Sequence, residues 1–277
     1  MTKSKVQKKT NSSSIGKIKK LKLSIQFSLD GFSFCITDEN KITVYFSEYN
    51  FNKTQDSPKN LLTKIEEIFK KDNSLQQDFI SVLVIHQNNL STLVPNQYFD
   101  ENTLEKYLNF NIKTLATDFI AFDDLENLKA KNIFVPYVNI NNYLFQNFGE
   151  FEYKHHHSIL IEKLIKKSTF TDKRMFVNVN TSTFDILVLE GKKLILANSF
   201  THSTKEDFVY YILFTAEQLD LNTEQFQLTL IGNIEEEHDA YKLLYQYIRN
   251  INFLESQNLF FKELSQSKHS NFILLGE

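Results

Sequence analysis

One pattern occurs twice in this chain and limits its fold more than any other feature: three short strands, a helix and a buried strand. Leu23, Ile25 and Phe27 alternate with Ser24, Gln26 and Ser28, and Phe32, Phe34 and Ile36 alternate with Ser33, Cys35 and Thr37. After the turn DENK at 38–41, Ile42, Val44 and Phe46 mark a third strand. A period of two belongs to half-buried strands. Ser57-Pro58 then opens a helix with Leu62, Ile65 and Phe69 on one face. FISVLVIH (79–86) is a continuous apolar run, as expected of a strand covered on both faces.

The second occurrence begins near Phe176. MFVNVNTSTFDILVLEGKKLILANSF (175–200) reads as three strands with EGKK as the second turn. Ser203 and Glu206 form an expected capping box for a helix on which Phe208, Tyr211, Ile212, Thr215 and Leu219 share a face. FQLTLIGN (226–233) is the following strand, ending at Gly232; a helix over 236–250 is expected, and FILL near the C-terminus is expected to close the sheet. Between the two occurrences, residues 100–175 read as more helical. Asp100 caps an expected helix through Leu104, Leu108 and Ile112, FVPYVNI (134–140) reads as a strand, and 158–167 as an amphipathic helix. The repeat is too long for a solenoid and implies two related lobes, 21–174 and 175–277.

Charge is unevenly placed along the 277 residues. Eight lysines and no acid occur in residues 1–22, which leaves 23 basic against 34 acidic side chains in the rest, a charge near −11. An acidic body argues against a broad nucleic-acid surface. The leader, 1–20, reads as a disordered basic segment, and it is the one part suited to nucleic acid or an anionic surface. Cys35 is the single cysteine, so no disulfide framework forms within the chain and a reducing compartment is expected. No secretory h-region follows the leader lysines, and no apolar run reaches spanning length, so a cytoplasmic location without a membrane span is expected.

The segment Asn178-Val179-Asn180-Thr181-Ser182-Thr183-Phe184-Asp185-Ile186 resembles, without gaps, the second-lobe phosphate motif D-I-G-G-G-T-T-D-I of the actin-like ATPase superfamily. With the repeated βββαβα plan, the resemblance implies an α/β protein of duplicated RNase H-like lobes in the actin-like ATPase fold, over nearly all of 21–277. More narrowly, the chain resembles an uncharacterised bacterial family of about this length with that fold and no established activity. In active members each lobe supplies an Asp-x-Gly hairpin, whose glycines admit phosphate to the backbone and whose acids orient Mg²⁺. A glycine pair after a buried strand accommodates adenosine.

Thr183, Asp185 and Ile186 keep the pattern, but the metal-directing Asp is Asn178 and the three glycines are Asn180, Thr181 and Ser182. Superposing the hairpins puts Gln26-Phe27-Ser28 at the first Asp-x-Gly, and Leu230-Ile231-Gly232-Asn233 keeps one glycine of the adenosine pair. Neither hairpin has its acid. Asp30-Gly31 lies beyond the expected carboxylate position and reads as a tight hairpin turn with positive φ, while Asp30 stays a candidate through a slipped alignment. The candidate cleft is therefore Gln26, Ser28, Asp30, Gly31, Asn178, Asn180, Thr181, Ser182, Thr183 and Gly232.

Other clusters have plainer readings. His155-His156-His157 suits a surface feature at a helix entry, because successive helical residues point about 100° apart. Glu235-Glu236-Glu237-His238-Asp239 suits the positive end of a helix. Asp123-Asp124 reads as a solvated loop or helix start, and Phe208, Tyr211 and Phe214 as core. No catalytic or metal-ligating residue is assigned, and ATP is the one cofactor that the resemblance offers. The expected function is a pseudo-ATPase, a non-hydrolysing binding or scaffold module with an unknown protein partner. The alternatives are an active ATPase or small-molecule kinase using displaced acids such as Asp30 or Asp185, and a nucleic-acid or ribosome-associated role carried by the leader.

Overall fold

The computed structural model describes residues 20–262, 264 and 266–276. The leader expected at 1–20 lies outside them apart from Lys20. The chain divides into two compact units, with the main division between Ile159 and Leu160.

In the first unit, β1 (Leu21–Ser28), β2 (Gly31–Thr37) and β3 (Thr43–Asn50) form the expected meander. Helix α1 (Pro58–Lys71) starts as expected: Ser57 accepts from the Asn60 amide and Pro58 takes the first turn, where its missing N–H is not needed. Strand β4 (Phe79–His86) follows, then β5 (Ser91–Pro95), α2 (Leu104–Asn109), β6 (Ala121–Leu125), β7 (Ala130–Phe134), α3 (Val138–Phe148), β8 (Glu152–His155) and α4 (His156–Lys167). The main sheet runs β3-β2-β1-β4-β8, antiparallel through β1 and parallel from β1 to β8. Its core packs Leu23, Ile25, Phe27 and Phe34 with Leu61, Ile65 and Phe69 of α1 and Ile140 and Leu144 of α3. Each such side chain contributes about 1.5–3 kcal/mol on burial. Strand β4 is less covered than expected, since Ile80 at its start is 56% exposed.

The segment between β4 and β8 departs most from expectation. A second, three-stranded antiparallel sheet, β5-β7-β6, is inserted there. FVPYVNI is not one strand: β7 ends at Phe134, and α3 begins at Val138. Pro136 interrupts the run, because a prolyl nitrogen cannot donate to a ladder. Asp100 caps a 3-10 turn ahead of α2, which ends before Ile112.

The inserted sheet is tied to the α4 start by buried polar groups. Asp123 of β6 is buried, not solvated. Its Oδ2 accepts the His155 amide at 2.8 Å and the Ser158 hydroxyl at 2.5 Å. Asn132 of β7 donates to Ser158 Oγ and lies 3.1 Å from His155 Nδ1, while His155 Nε2 donates to the Asn88 carbonyl at 3.0 Å. His155, His156 and His157 are all buried, which corrects the surface reading. They sit at a helix entry, and the inserted sheet bonds the first of them, His155.

In the second unit, β9 (Lys173–Val179), β10 (Thr183–Glu190) and β11 (Lys193–Thr201) precede α5 (Lys205–Gln218), β12 (Gln227–Gly232), α6 (Asp239–Leu244), β13 (Asn250–Phe253) and α7 (Phe272–Leu275). The sheet order β11-β10-β9-β12-β13 repeats the order and the parallel or antiparallel sense of the first. Three expectations change. The capping box of α5 is Thr204 with Asp207, one residue along from Ser203 and Glu206. FILL is a short helix, and β13 closes the sheet instead. The helix expected over 236–250 is only α6; His238 is its N-cap without a side-chain cap bond, and of the acidic run only Asp239 lies in its first turn. On α5, Phe208 is core while Phe214 is 45% exposed. Among the described residues no helix is long and apolar enough to cross a membrane.

Candidate functional site

The two hairpin ends occupy the same place in their sheets. In the first unit Gln26 pairs with Ser33 and Ser28 with Gly31, so Leu29 and Asp30 make the turn. In the second, Asn178 pairs with Asp185, the Asn180 amide donates to the Thr183 carbonyl at 2.9 Å, and Thr181 and Ser182 make the turn. Gln26 and Asn178 thus have the same register, as the motif superposition expects. The fourth strands end alike as well. The Gln87 amide donates to Phe27 O at 3.0 Å, and the Asn233 amide to Val179 O at 2.7 Å.

The β1–β2 turn is Leu29-Asp30 and not the expected Asp30-Gly31: Gly31 is the first residue of β2, and neither Asp30 nor Gly31 has positive φ. Glycine is needed at 31 for another reason: a Cβ there would lie 2.9 Å from the Tyr49 carbonyl of β3. The Asp30 carboxylate is inward and bonded, accepting Thr54 Oγ1 at 2.6 Å, while Ser28 Oγ accepts the Asp30 amide at 3.1 Å. Burial, and then the Asp30 charge, push the Tyr137 phenol up to about 12. Gln26 donates to Gln87 Oε1 at 2.5 Å.

Beside this hairpin, His86 ends β4 with no exposed surface. Its Nδ1 accepts the Tyr137 amide at 3.1 Å, so Nε2 carries the proton and donates to Asn141 Oδ1 at 2.9 Å. Burial lowers its pKa to about 4, although the Asn141 bond opposes this.

The second-unit hairpin is organised around Asp185. Its carboxylate, 1% exposed, accepts the Asn178 amide at 2.9 Å from β9 and the Ser199 hydroxyl at 2.6 Å from β11. The three residues are direct cross-strand neighbours, which is why they meet. Ser182 O accepts the His202 amide, and Thr183 pairs with Thr201. Asn180 Nδ2 is buried with no hydrogen-bond partner. Gly232 lies beside this hairpin, opposite Val179, with φ +90°. A Cβ would meet Val179 O at 2.2 Å and Asn178 Oδ1 at 3.1 Å, so only glycine fits.

The structure therefore groups Gln26, Ser28, Asp30 and Gly31 at one hairpin end, and Asn178, Asn180, Thr181, Ser182, Thr183 and Gly232 at the other. Sequence reasoning missed Ser199 and Gln87. Ser199 was accessible through cross-strand register, since it stands opposite Asp185; Gln87 had no signal beyond following a strand.

Residues 10–251 match the model of a family described as "Protein of unknown function (DUF3822)". The chain belongs to that family. A solved Bacteroides thetaiotaomicron protein with actin-like ATPase fold and unknown function is 24% identical, with a TM-score of 0.79, over 93% of this chain and 95% of that one. A chain of a PilM–PilN type IV pilus biogenesis complex is 10% identical, with a TM-score of 0.57, over 84% of this chain and 88% of that one. No curated protein matches. This DUF3822 member has the actin-like ATPase fold, with the strand order 3-2-1-4-5 in both of its five-stranded sheets.

Proposed function

We propose that this protein is a cytoplasmic, non-hydrolysing binding or scaffold module on the actin-like fold, with another protein as its partner. The observation that carries this is the Asn178–Asp185–Ser199 ladder. At the position where a magnesium-directing carboxylate is expected, a neutral amide spends its donor on Asp185. Mg²⁺ in nucleotide sites is held through one or two carboxylates and by waters oriented on them. Asn178 and Gln26 supply no charge, and Asp185 is already bonded from both sides, so these residues do not fit that ion. The three side chains in place of the motif glycines also crowd backbone approach to a phosphate. Binding of an anion is less affected, because the side-chain Nδ2 of Asn180 is a buried donor without a partner. The likeness to a chain of the PilM–PilN complex agrees with a fold that serves assembly.

Calorimetric titration with ATP and Mg²⁺, with a turnover assay on the same protein, tests the proposal. Magnesium-dependent turnover abolished by substitutions at Asn178 or Asn180 would refute it. The alternative, an ATPase or kinase with displaced acids, would use Asp30, the acid in the β1–β2 turn. That reading requires thermal stabilisation by nucleotide which disappears in Asp30→Ala.

A further inference from the structure

The carboxyl end of β12 is closed by the chain itself. Residues 267–270 run past it. The Gly232 amide donates to the His269 carbonyl at 2.8 Å, and His269 Nε2 donates to the Ile234 carbonyl at 2.7 Å. The imidazole lies against the Phe253 ring at the end of β13, with centroids 4.3 Å apart and planes 27° apart. Just before it in the chain, Lys268 O accepts the Ser256 amide at 2.9 Å, and Ser267 donates to Glu235 Oε1 at 2.5 Å. His269 is 5% exposed.

Each of these contacts is of a kind normally made to a ligand. Open α/β sheets take ligands outside the carboxyl ends of their parallel strands, and β9, β12 and β13 are parallel here. The imidazole itself is stacked on an aromatic face and gives one donor to a carbonyl, as a small nitrogen heterocycle in a slot would, while the Gly232 amide is met by the His269 backbone carbonyl. We infer that 267–270 is an internal ligand, a strap that is pinned to Gly232 by its backbone and whose His269 ring fills a heteroaromatic slot formed by Phe253 and Ile234 and keeps it shut to external rings. The segment after the strap is held firmly. Lys163 Nζ donates to the Ile273 carbonyl at 3.1 Å, and Asn258 donates to the Leu275 carbonyl at 3.2 Å. Opening of the strap would leave its downstream end attached. This closure holds whether or not the hairpin ends bind phosphate.

The test removes the ring and offers it back. In full-length His269→Gly, imidazole at about ten times its dissociation constant raises the melting temperature by about 2–4 °C at matched pH, and the parent protein does not respond. N-Methylimidazole, which lacks the donor for Ile234 O, rescues less. An equal response of parent and variant, or no response of either, overturns the inference. Should His269→Gly fail to fold, amide exchange on the parent protein decides. The Gly232 and Ser256 amides must exchange together, about tenfold faster than amides inside β12. If they exchange only as fast as the β12 interior, the strap does not open by itself and the inference fails.

Discussion

Asn178→Asp would restore the acid that the motif has lost, and the structure specifies its cost. The substitution exchanges the amide, 2.9 Å from Asp185 Oδ2, for a second carboxylate in the same place. Asn178 and Asp185 are 4% and 1% exposed, so water cannot screen the pair. Loss of a hydrogen bond to a charged group costs about 1.5–3 kcal/mol. A second buried carboxylate set against Asp185 takes the total to about 3–5 kcal/mol. Two carboxylates at this distance relieve part of the repulsion by sharing a proton, which raises the pair's folded pKa above its unfolded value. The penalty is therefore largest above that folded pKa and shrinks as the pH falls through it. Urea unfolding at neutral pH and at about pH 5 measures the difference. Asn178→Asp with Asp185→Asn recreates one donor and one acceptor across the strands, and it recovers stability to within about 1 kcal/mol. Neither protein gains magnesium-dependent ATP turnover. If Asn178→Asp matches the parent at neutral pH, or the double variant is no better than the single, the two side chains are not coupled. Nothing would then prevent an acid at 178 from serving a metal.

Three other outcomes are expected. His86 has a folded pKa of about 4 against an ordinary 6.5, so the unfolded chain takes up the proton first. Stability from the neutral ring is complete above about pH 6.5 and is lost as the pH falls towards 4, about 3 kcal/mol in all, and His86→Gln flattens that part of the denaturation profile. Gly232→Ala costs about 3 kcal/mol or more by thermal unfolding, because φ is +90° and the new Cβ meets Val179 O; Gly191→Ala, at φ +58° with its nearest atom 3.5 Å away, costs about 1–2 kcal/mol. Asp72→Ala strands the buried hydroxyls of Tyr45 and Tyr49, which donate to it at 3.1 Å and 2.6 Å. It costs about 3 kcal/mol, and spectrophotometric titration finds the Tyr49 phenol, raised by burial and then by Asp72, moved back towards its ordinary range.

What could be read from the sequence follows from how local each signal is. The meanders were legible because alternation is a property of neighbouring residues, and Ser57-Pro58 because a cap is set within four positions. The equivalence of Gln26 and Asn178 was legible from the motif superposition, although the turn expected at Asp30-Gly31 lies one residue earlier. The inserted sheet was not, since its strands are five residues each and join out of chain order, β5 with β7 and then β6. Its polar members misled in the same way: Asp123 looks exposed in sequence, and its bonds to His155 and Ser158 depend on where β6 is placed. FILL has strand composition but four residues and no partner strand; the ladder went to Asn250–Phe253, whose alternating asparagines concealed it. At the candidate site the loss of the acids was plain from the sequence. The fate of Asp185 was not, because it depends on a serine fourteen residues away in the chain.

The bond between Asp123 and the first turn of α4 bears on how this family can shrink. An insertion between two strands of a sheet is ordinarily dispensable, and a lineage can trim it without touching the scaffold. Here one carboxylate from the insertion serves both the His155 backbone and the Ser158 hydroxyl. A shortened homologue lacking 91–134 must also replace Ser158 and re-satisfy that amide, so the two losses should be inherited together.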